Sequence, residues 1–352
     1  MTTTYVPARC HCGKNTFKVA FPSVSLPTIS DLCHCDACRH TTGQMAVCVV
    51  RIQGVALSAT STPDSEEPAD ISGLSQYQTS NRLTRYFCST CSAHVLEYSH
   101  EFGNWSVTAG ALERTDGIVN IGFHIYVGDT LDGGLSDHYR THDGVEVPRY
   151  IEDKGSDMVP LGWKADVLKQ KHENEGEDRL FIYCHCKKNQ YYLTRVKEVK
   201  DAEQEWWLKP SSNESELIKY LGTHCVCTSC RLTSGFEIQS WMFLPRENII
   251  DPATNAVINF TNPAARPKGL TQYTSTPEKE IHREFCGTCG ATVFFWLPGR
   301  DIVDVSLGTV DQGQRGARAE GWIEWRKRVT QSQDAINPRM LKALMEGVEA
   351  VE

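Results

Sequence analysis

Cys33, Cys35 and Cys38 stand in a CxCxxC spacing, and Cys225, Cys227 and Cys230 repeat it. Thiols this close rarely bridge one another as disulfides, but they chelate a single metal ion well. Paired cysteines flank each triple in the same order. Cys10 and Cys12 precede the first and Cys88 and Cys91 follow it, while Cys184 and Cys186 precede the second and Cys286 and Cys289 follow it. Of the fifteen cysteines only Cys48 falls outside this scheme. The flanks repeat too: Arg39, Thr42 and Gly43 after one triple match Arg231, Ser234 and Gly235 after the other. The chain is an internal duplication of a domain-sized unit.

Seven cysteines per copy divide as four plus three. The CxC and CxxC pairs supply four ligands to one closed tetrahedral site per copy, Cys10, Cys12, Cys88 and Cys91 in the first and Cys184, Cys186, Cys286 and Cys289 in the second. The triple then holds a second ion with one position open. In the alternative partition one more side chain completes the triple. His40, His94, His124 and Cys48 are the candidates in the first copy, and His224 or His282 in the second. None of these falls at a matching position in both copies.

Three thiolates on a divalent ion leave a net charge of about −1, so such a centre is a poor generator of hydroxide. It remains thiophilic, and a coordinated thiol is deprotonated outright. The chemistry that suits it is holding a small thiolate beside an electrophilic carbon, where a C–S bond forms or breaks.

The elements that must position these cysteines read mainly as strands. Short β-branched and aromatic runs cover residues 16–20, 45–52, 94–98, 105–109, 119–126, 238–244, 292–297 and 302–306. They fall in two zinc-binding β domains, residues 4–140 and 179–328, each expected to have its own modest core. Residues 141–178 read as a charged, cysteine-free linker with a short helix over 163–171. Residues 329–352 read as a helical tail, with Asn337 as cap, Pro338 in the first turn and an apolar stripe of Met340, Leu341, Leu344, Met345 and Val348 expected to dock on its own domain. The second copy also carries a charged insertion over residues 199–220, expected to pack locally.

Composition narrows the function classes. With 36 basic against 44 acidic residues, a net −8, no nucleic-acid partner is expected. No apolar run approaches the ~20 residues that span a bilayer, so no membrane partner is expected. Residues 1–9 carry no apolar core of a secretory signal, and a cytoplasmic location with reduced thiols is the expectation.

This series resembles the glutathione-dependent formaldehyde-activating enzyme family, whose domain is shared with centromere protein V. The resemblance is carried by Cys10-His11-Cys12-Gly13, the stretch from Cys33 to Gly43, Phe87 to Cys91 and Phe123-His124-Ile125-Tyr126. In the second copy it runs through Cys184 to Cys186, Cys225 to Gly235 and Phe285 to Gly290, with Gly321 to Trp325 in place of the late strand. It implies two tandem Mss4-like folds, structural zinc on the CxC and CxxC cysteines, and catalytic zinc on both CxCxxC triples, up to four Zn2+ per chain. It also implies a carbon–sulfur lyase joining formaldehyde to glutathione. Arg39 and Arg231 would then pair with a glutathione carboxylate or form structural ion pairs, and Thr42 and Ser234 would donate a hydrogen bond to a bound oxyanion or cap turns. Two positions depart from the family pattern. Ser92 and Lys187 stand where a glycine usually permits a left-handed turn beside the sulfurs.

The expected activity is thus a zinc-dependent carbon–sulfur lyase acting on a thiol adduct, glutathione with formaldehyde or another small aldehyde. The alternatives are the same fold acting as lyase, dehydratase or isomerase on a larger metabolite, or a non-enzymatic zinc module that binds protein.

Overall fold

A computed structural model describes residues 2–171, 179–196, 199, 204–209, 218–262 and 266–351. The chain is mainly β. In the first repeat, strands Thr3–Arg9, Thr16–Pro22 and Leu57–Ser58 form one small sheet. Five strands, in the spatial order Val49–Arg51, Asn104–Thr108, His94–Ser99, Leu83–Cys88 and Leu74–Ser80, form another. The second repeat reproduces this with Arg179–Tyr183, Gln190–Thr194 and Ile249–Asp251 beside a larger sheet that includes Gln239–Pro245, Ile302–Ser306, Thr292–Trp296, Ile281–Cys286 and Leu270–Thr276.

The expected strands are present, that over Ile302–Ser306 with the expected bounds and the others with shifted ends, and one is shortened. Over residues 45–52 only Val49–Arg51 is regular. Upstream, Cys33 and Val47 form an isolated bridge, and the carbonyl of Gly43 accepts the amide of Gly308 from the other repeat at 3.0 Å. Backbone engaged by a crossing segment cannot also run a sheet ladder.

That crossing is reciprocal. The amide of Gly110 donates to the carbonyl of Gly235 at 2.9 Å, mirroring Gly308 and Gly43. A Cβ on Gly235 would lie 1.8 Å from the carbonyl oxygen of His94, and one on Gly43 would lie 2.2 Å from that of Thr292. Glycine is required at both places because the two backbones touch. Most of the buried apolar residues form one cluster running from Val6 to Val348, with two small groups around Cys286 and Cys38 beside it, so the two repeats share a core instead of building one each.

The tail helix Pro338–Glu349 is capped as its sequence suggests, Asn337 Oδ1 accepting the Met340 amide at 3.1 Å. It buries Met340, Ala343, Leu344, Gly347 and Val348, while Met345 stays 37% exposed. The helix docks across the repeat boundary, against the first repeat as well as beside Phe236 and Ile238 of its own. A Cβ on Gly347 would stand 2.1 Å from the carbonyl oxygen of His138, and Arg339 pairs with Asp116 and Asp143. Gly347 makes that close approach possible, and of the expected stripe Leu341 packs partly buried against the core.

The stretch read as a linker lies along the late strand Val119–Ile125 of the first repeat. Pro148 and Tyr150 accept the amides of His124 and Val127 at 2.8 and 3.1 Å. Its helix spans Asp166–Lys171. The insertion lies partly outside the described residues. Of its described part, Trp207 is buried near Tyr220 and Trp206 lies against Phe243.

Candidate metal centres

Each CxCxxC loop is built by a strand running into a short helix. In the first repeat Cys33 ends the strand Thr28–Cys33 and Cys35 caps the helix Asp36–Thr42, its Sγ accepting the Cys38 amide at 3.4 Å. Gly43, at φ +79°, stops the helix. In the second, Cys225 ends Lys219–Cys225, Cys227 caps Thr228–Ser234 with the Cys230 amide at 3.2 Å, and Gly235 stops it at φ +86°. An aspartate from a distant segment caps each helix start as well: Asp129 accepts the Asp36 amide at 3.1 Å and Asp334 the Thr228 amide at 3.3 Å. Asp334 lies beyond residue 328, so the second repeat continues into the stretch read as a tail.

Among the described residues four groups of sulfurs converge. Cys10, Cys12, Cys88 and Cys91 form one group, and Cys184, Cys186, Cys286 and Cys289 another. Cys33, Cys35 and Cys38 form the third, and Cys225, Cys227 and Cys230 the fourth. Within each group the ligand atoms lie within 4.8 Å of one another. In the fours, Cys10–Cys12 and Cys12–Cys88 sulfurs are 3.5 and 3.6 Å apart, and Cys184–Cys186 and Cys186–Cys286 sulfurs 3.5 and 3.4 Å. A Zn–S bond of ~2.3 Å sets a tetrahedral edge of ~3.8 Å, so the donor sets suit a thiophilic divalent ion. All fifteen cysteines are free thiols.

The other candidate ligands lie elsewhere. His40 Nδ1 is 2.9 Å from the carbonyl oxygen of Tyr183, His124 Nε2 is 2.8 Å from that of Tyr139, and His224 lies between His138 and Ser240. His282 Nδ1 is 3.1 Å from the Thr274 hydroxyl, His94 is buried against Phe87 and Phe236, and Cys48 sits in the apolar core. Each triple therefore has three sulfurs and no fourth clustered ligand among the described residues.

The turns beside the closed groups behave as their sequences suggest. Gly13 and Gly290 take φ of +76° and +80°, and Ser92 and Lys187, their counterparts in the opposite repeats, take +63° and +58°. A left-handed side-chain-bearing residue costs of the order of 1 kcal/mol. Ser92 donates its hydroxyl to the carbonyl of Thr233 in the other repeat at 3.1 Å, which offsets part of that cost.

Neither Arg39 nor Arg231 lines the cavity that borders Cys225, Cys227 and Cys230. Arg39 is fully buried and donates Nη2 to Gln312 Oε1 at 2.6 Å and to Asp36 at 3.1 Å. Arg231 donates Nη1 to the carbonyls of Gly110 and Leu112 at 2.5 and 2.9 Å. Both tie one repeat to the other, and that geometry favours the structural role over a glutathione carboxylate. The Thr42 hydroxyl donates to the Cys38 carbonyl and accepts the Gln44 amide, and Ser234 accepts the Phe236 amide, so both are turn caps.

The arginines that do reach the triples are Arg85 and Arg283. Arg85 Nη2 lies 3.0 Å from Cys38 Sγ, and Arg283 Nη2 lies 3.5 Å from Cys230 Sγ. Sequence reasoning missed them, although each stands three residues before the first cysteine of its CxxC. Arg85 is also ion-paired at 2.9 Å with Glu97, both nearly buried. Over the second triple is a cavity of about 300 Å³ whose lining includes Arg283, Trp241, Phe243, Phe295 and Asp304. Burial pushes the Asp304 carboxyl up to about 7. No helix among the described residues is long and apolar enough to cross a membrane.

Residues 5–129 and 213–325 match the family model described as glutathione-dependent formaldehyde-activating enzyme. No curated protein and no solved structure matches the chain.

Proposed function

Because the chain belongs to the glutathione-dependent formaldehyde-activating enzyme family, we propose that it is a zinc-dependent carbon–sulfur lyase joining glutathione to formaldehyde or another small aldehyde, reversibly. The observation that carries this reading is the three-sulfur group in each repeat, with no fourth clustered ligand among the described residues and a buried arginine at its edge. Zinc bound there supplies a thiophilic centre that keeps an incoming thiol ionised near neutral pH.

The chain's own residues do the rest. Cys33, Cys35 and Cys38, and likewise Cys225, Cys227 and Cys230, act as the catalytic ligand sets. The closed groups of four hold the ends of each repeat together. Arg85 and Arg283 offset negative charge where a further thiolate would raise it. Reduced thiols suit the cytoplasm, where this reading places the protein.

Cobalt substitution tests the reading, since a new sulfur ligand changes the visible spectrum of cobalt. Titrating glutathione into the cobalt protein is expected to shift the sulfur-to-metal absorption, with saturation. A spectrum that ignores glutathione overturns the proposal and favours a purely structural metal.

A further inference from the structure

The two triples sit in differently built surroundings, and the sheet registers match them residue by residue. Cys225 faces Gln239 as Cys33 faces Val47, so Trp241 stands where the first repeat has Val49, and Phe243 where it has Arg51. Phe285 pairs with Thr292 as Phe87 pairs with His94, so Phe295 stands in the place of Glu97. Phe243 pairs with Asp304 as Arg51 pairs with Ser106. Two charged side chains and a valine have thus become three aromatic rings around the second triple. Trp206, from the insertion that lengthens the second repeat alone, extends this wall with its ring 5.1 Å from that of Phe243.

The arginine changes its company accordingly. Arg85 is neutralised by Glu97. Arg283 instead lies over the ring of Phe295 at 5.1 Å, with Nη2 toward Cys230 and Nε donating to Ser275 Oγ at 3.2 Å. Arg283 is only 4% exposed, and its Nη1 has no hydrogen-bond partner. A buried, unsatisfied guanidinium N–H bordering a cavity is a standing demand for an acceptor oxygen.

We propose that the cavity of the second repeat takes the glutathione adduct of an aldehyde bearing a bulky apolar group, aryl or branched alkyl, with Arg283 Nη1 holding the former carbonyl oxygen. The inference rests on the thiol-addition reading given above. In the forward direction the thiolate sulfur attacks the carbonyl carbon and the S–C bond forms as the C=O π bond breaks. The electron pair moves to the oxygen facing Arg283, and the proton released by the thiol returns to that oxygen. Nothing is oxidised or reduced, and no co-reactant is needed. The apolar substituent lies against Trp241, Phe243 and Phe295. The first repeat, with Glu97 and Arg51 at the matching places, lacks that wall.

Binding of two thiol-blocked probes to the full zinc-loaded chain tests this by calorimetry. S-Benzylglutathione is expected to bind about tenfold or more tighter than S-methylglutathione, as burial of a ring implies. Trp241→Val is expected to bring the two affinities within about threefold, and Val49→Ala in the first repeat to leave the native ratio unchanged, with zinc content as the check on folding. Equal affinities in the native protein overturn the inference whatever the variants do, as does a ratio that survives Trp241→Val. Because neither probe carries a free thiol, this outcome is separate from the cobalt titration. Equal probe affinities with an intact cobalt response overturn this inference alone, whereas a cobalt spectrum blind to glutathione overturns the lyase reading beneath it.

Discussion

The hydroxyl of Tyr273 lies 2.7 Å from Nδ1 of His11, and the ring's other nitrogen lies 3.3 Å from the hydroxyl of Ser229. His11 stands inside the first CxC and Ser229 inside the second CxCxxC, so the closed group of one repeat abuts the open group of the other. The mirror contact exists as well, Tyr77 and His185 Nδ1 being 2.7 Å apart. Burial, with the charges of Arg283 and Arg9, holds His11 down to about 4, so it is neutral at physiological pH. Tyr273→Phe is expected to cost about 1 kcal/mol by removing one partly buried hydrogen bond. Urea unfolding measures this, and an unchanged midpoint would show that the contact contributes nothing.

Arg85 and Arg283 are expected to differ sharply on removal. Arg85→Met strands Glu97 as an unpaired buried charge and should destabilise the chain by about 3–5 kcal/mol. Arg85→Met combined with Glu97→Gln should recover much of that. Arg283→Met strands no carboxylate, so its loss should be smaller and should appear mainly as weaker ligand binding. Thermal unfolding of the three variants checks the order, and a double variant no better than Arg85→Met alone contradicts it.

Cys33→Ser and Cys225→Ser should each lower zinc by about one ion per chain while leaving the fold standing. Cys12→Ser, in a group that clamps distant segments, should lower both zinc and stability, because metal binding to a structural site is folding energy. Metal analysis with circular dichroism decides the matter. A Cys33→Ser chain that unfolds outright would show that the triple is structural.

Glu237 accepts a hydrogen bond from Thr115 across the repeat boundary, and burial pushes its carboxyl from the ordinary 4.5 up to about 7, against the pull of Arg231. Between those values the folded chain retains a proton that the unfolded chain has lost. The associated stability is complete below about 4.5, falls as pH rises, and is gone above about 7. Glu237→Gln should therefore gain on the native protein as pH climbs from about 5 to about 8. A stability difference that stays constant over that range would refute the assignment.

Gly235→Ala should be among the most damaging single-methyl changes, since its Cβ would lie 1.8 Å from the His94 oxygen with φ at +86°. Gly54→Ala, at φ +70° but with open space around it, should cost only about 1 kcal/mol. Soluble yield and unfolding midpoint distinguish them, and equal penalties would show that the interlocking backbones can separate.

The cysteine scheme was legible in the sequence because metal chelation by CxC, CxxC and CxCxxC is local. Spacings of two and three residues bring sulfurs together once a strand meets a helix, as Cys33, Cys35 and Cys38 do. The cap at Asn337 and the left-handed turns at Ser92 and Lys187 were legible for the same reason, each depending on a few neighbouring residues. The interlocking of the repeats was not. Arg39 grips Gln312, Arg231 grips Gly110, and the tail helix crosses to His138, partners more than a hundred residues distant in every case. The contrast between Glu97 beside Arg85 and Phe295 beside Arg283 depends likewise on which strands pair and in what register. Sequence spacing decides which atoms can share an ion, but long-range strand pairing and burial decide what surrounds that ion, and no local pattern encodes those.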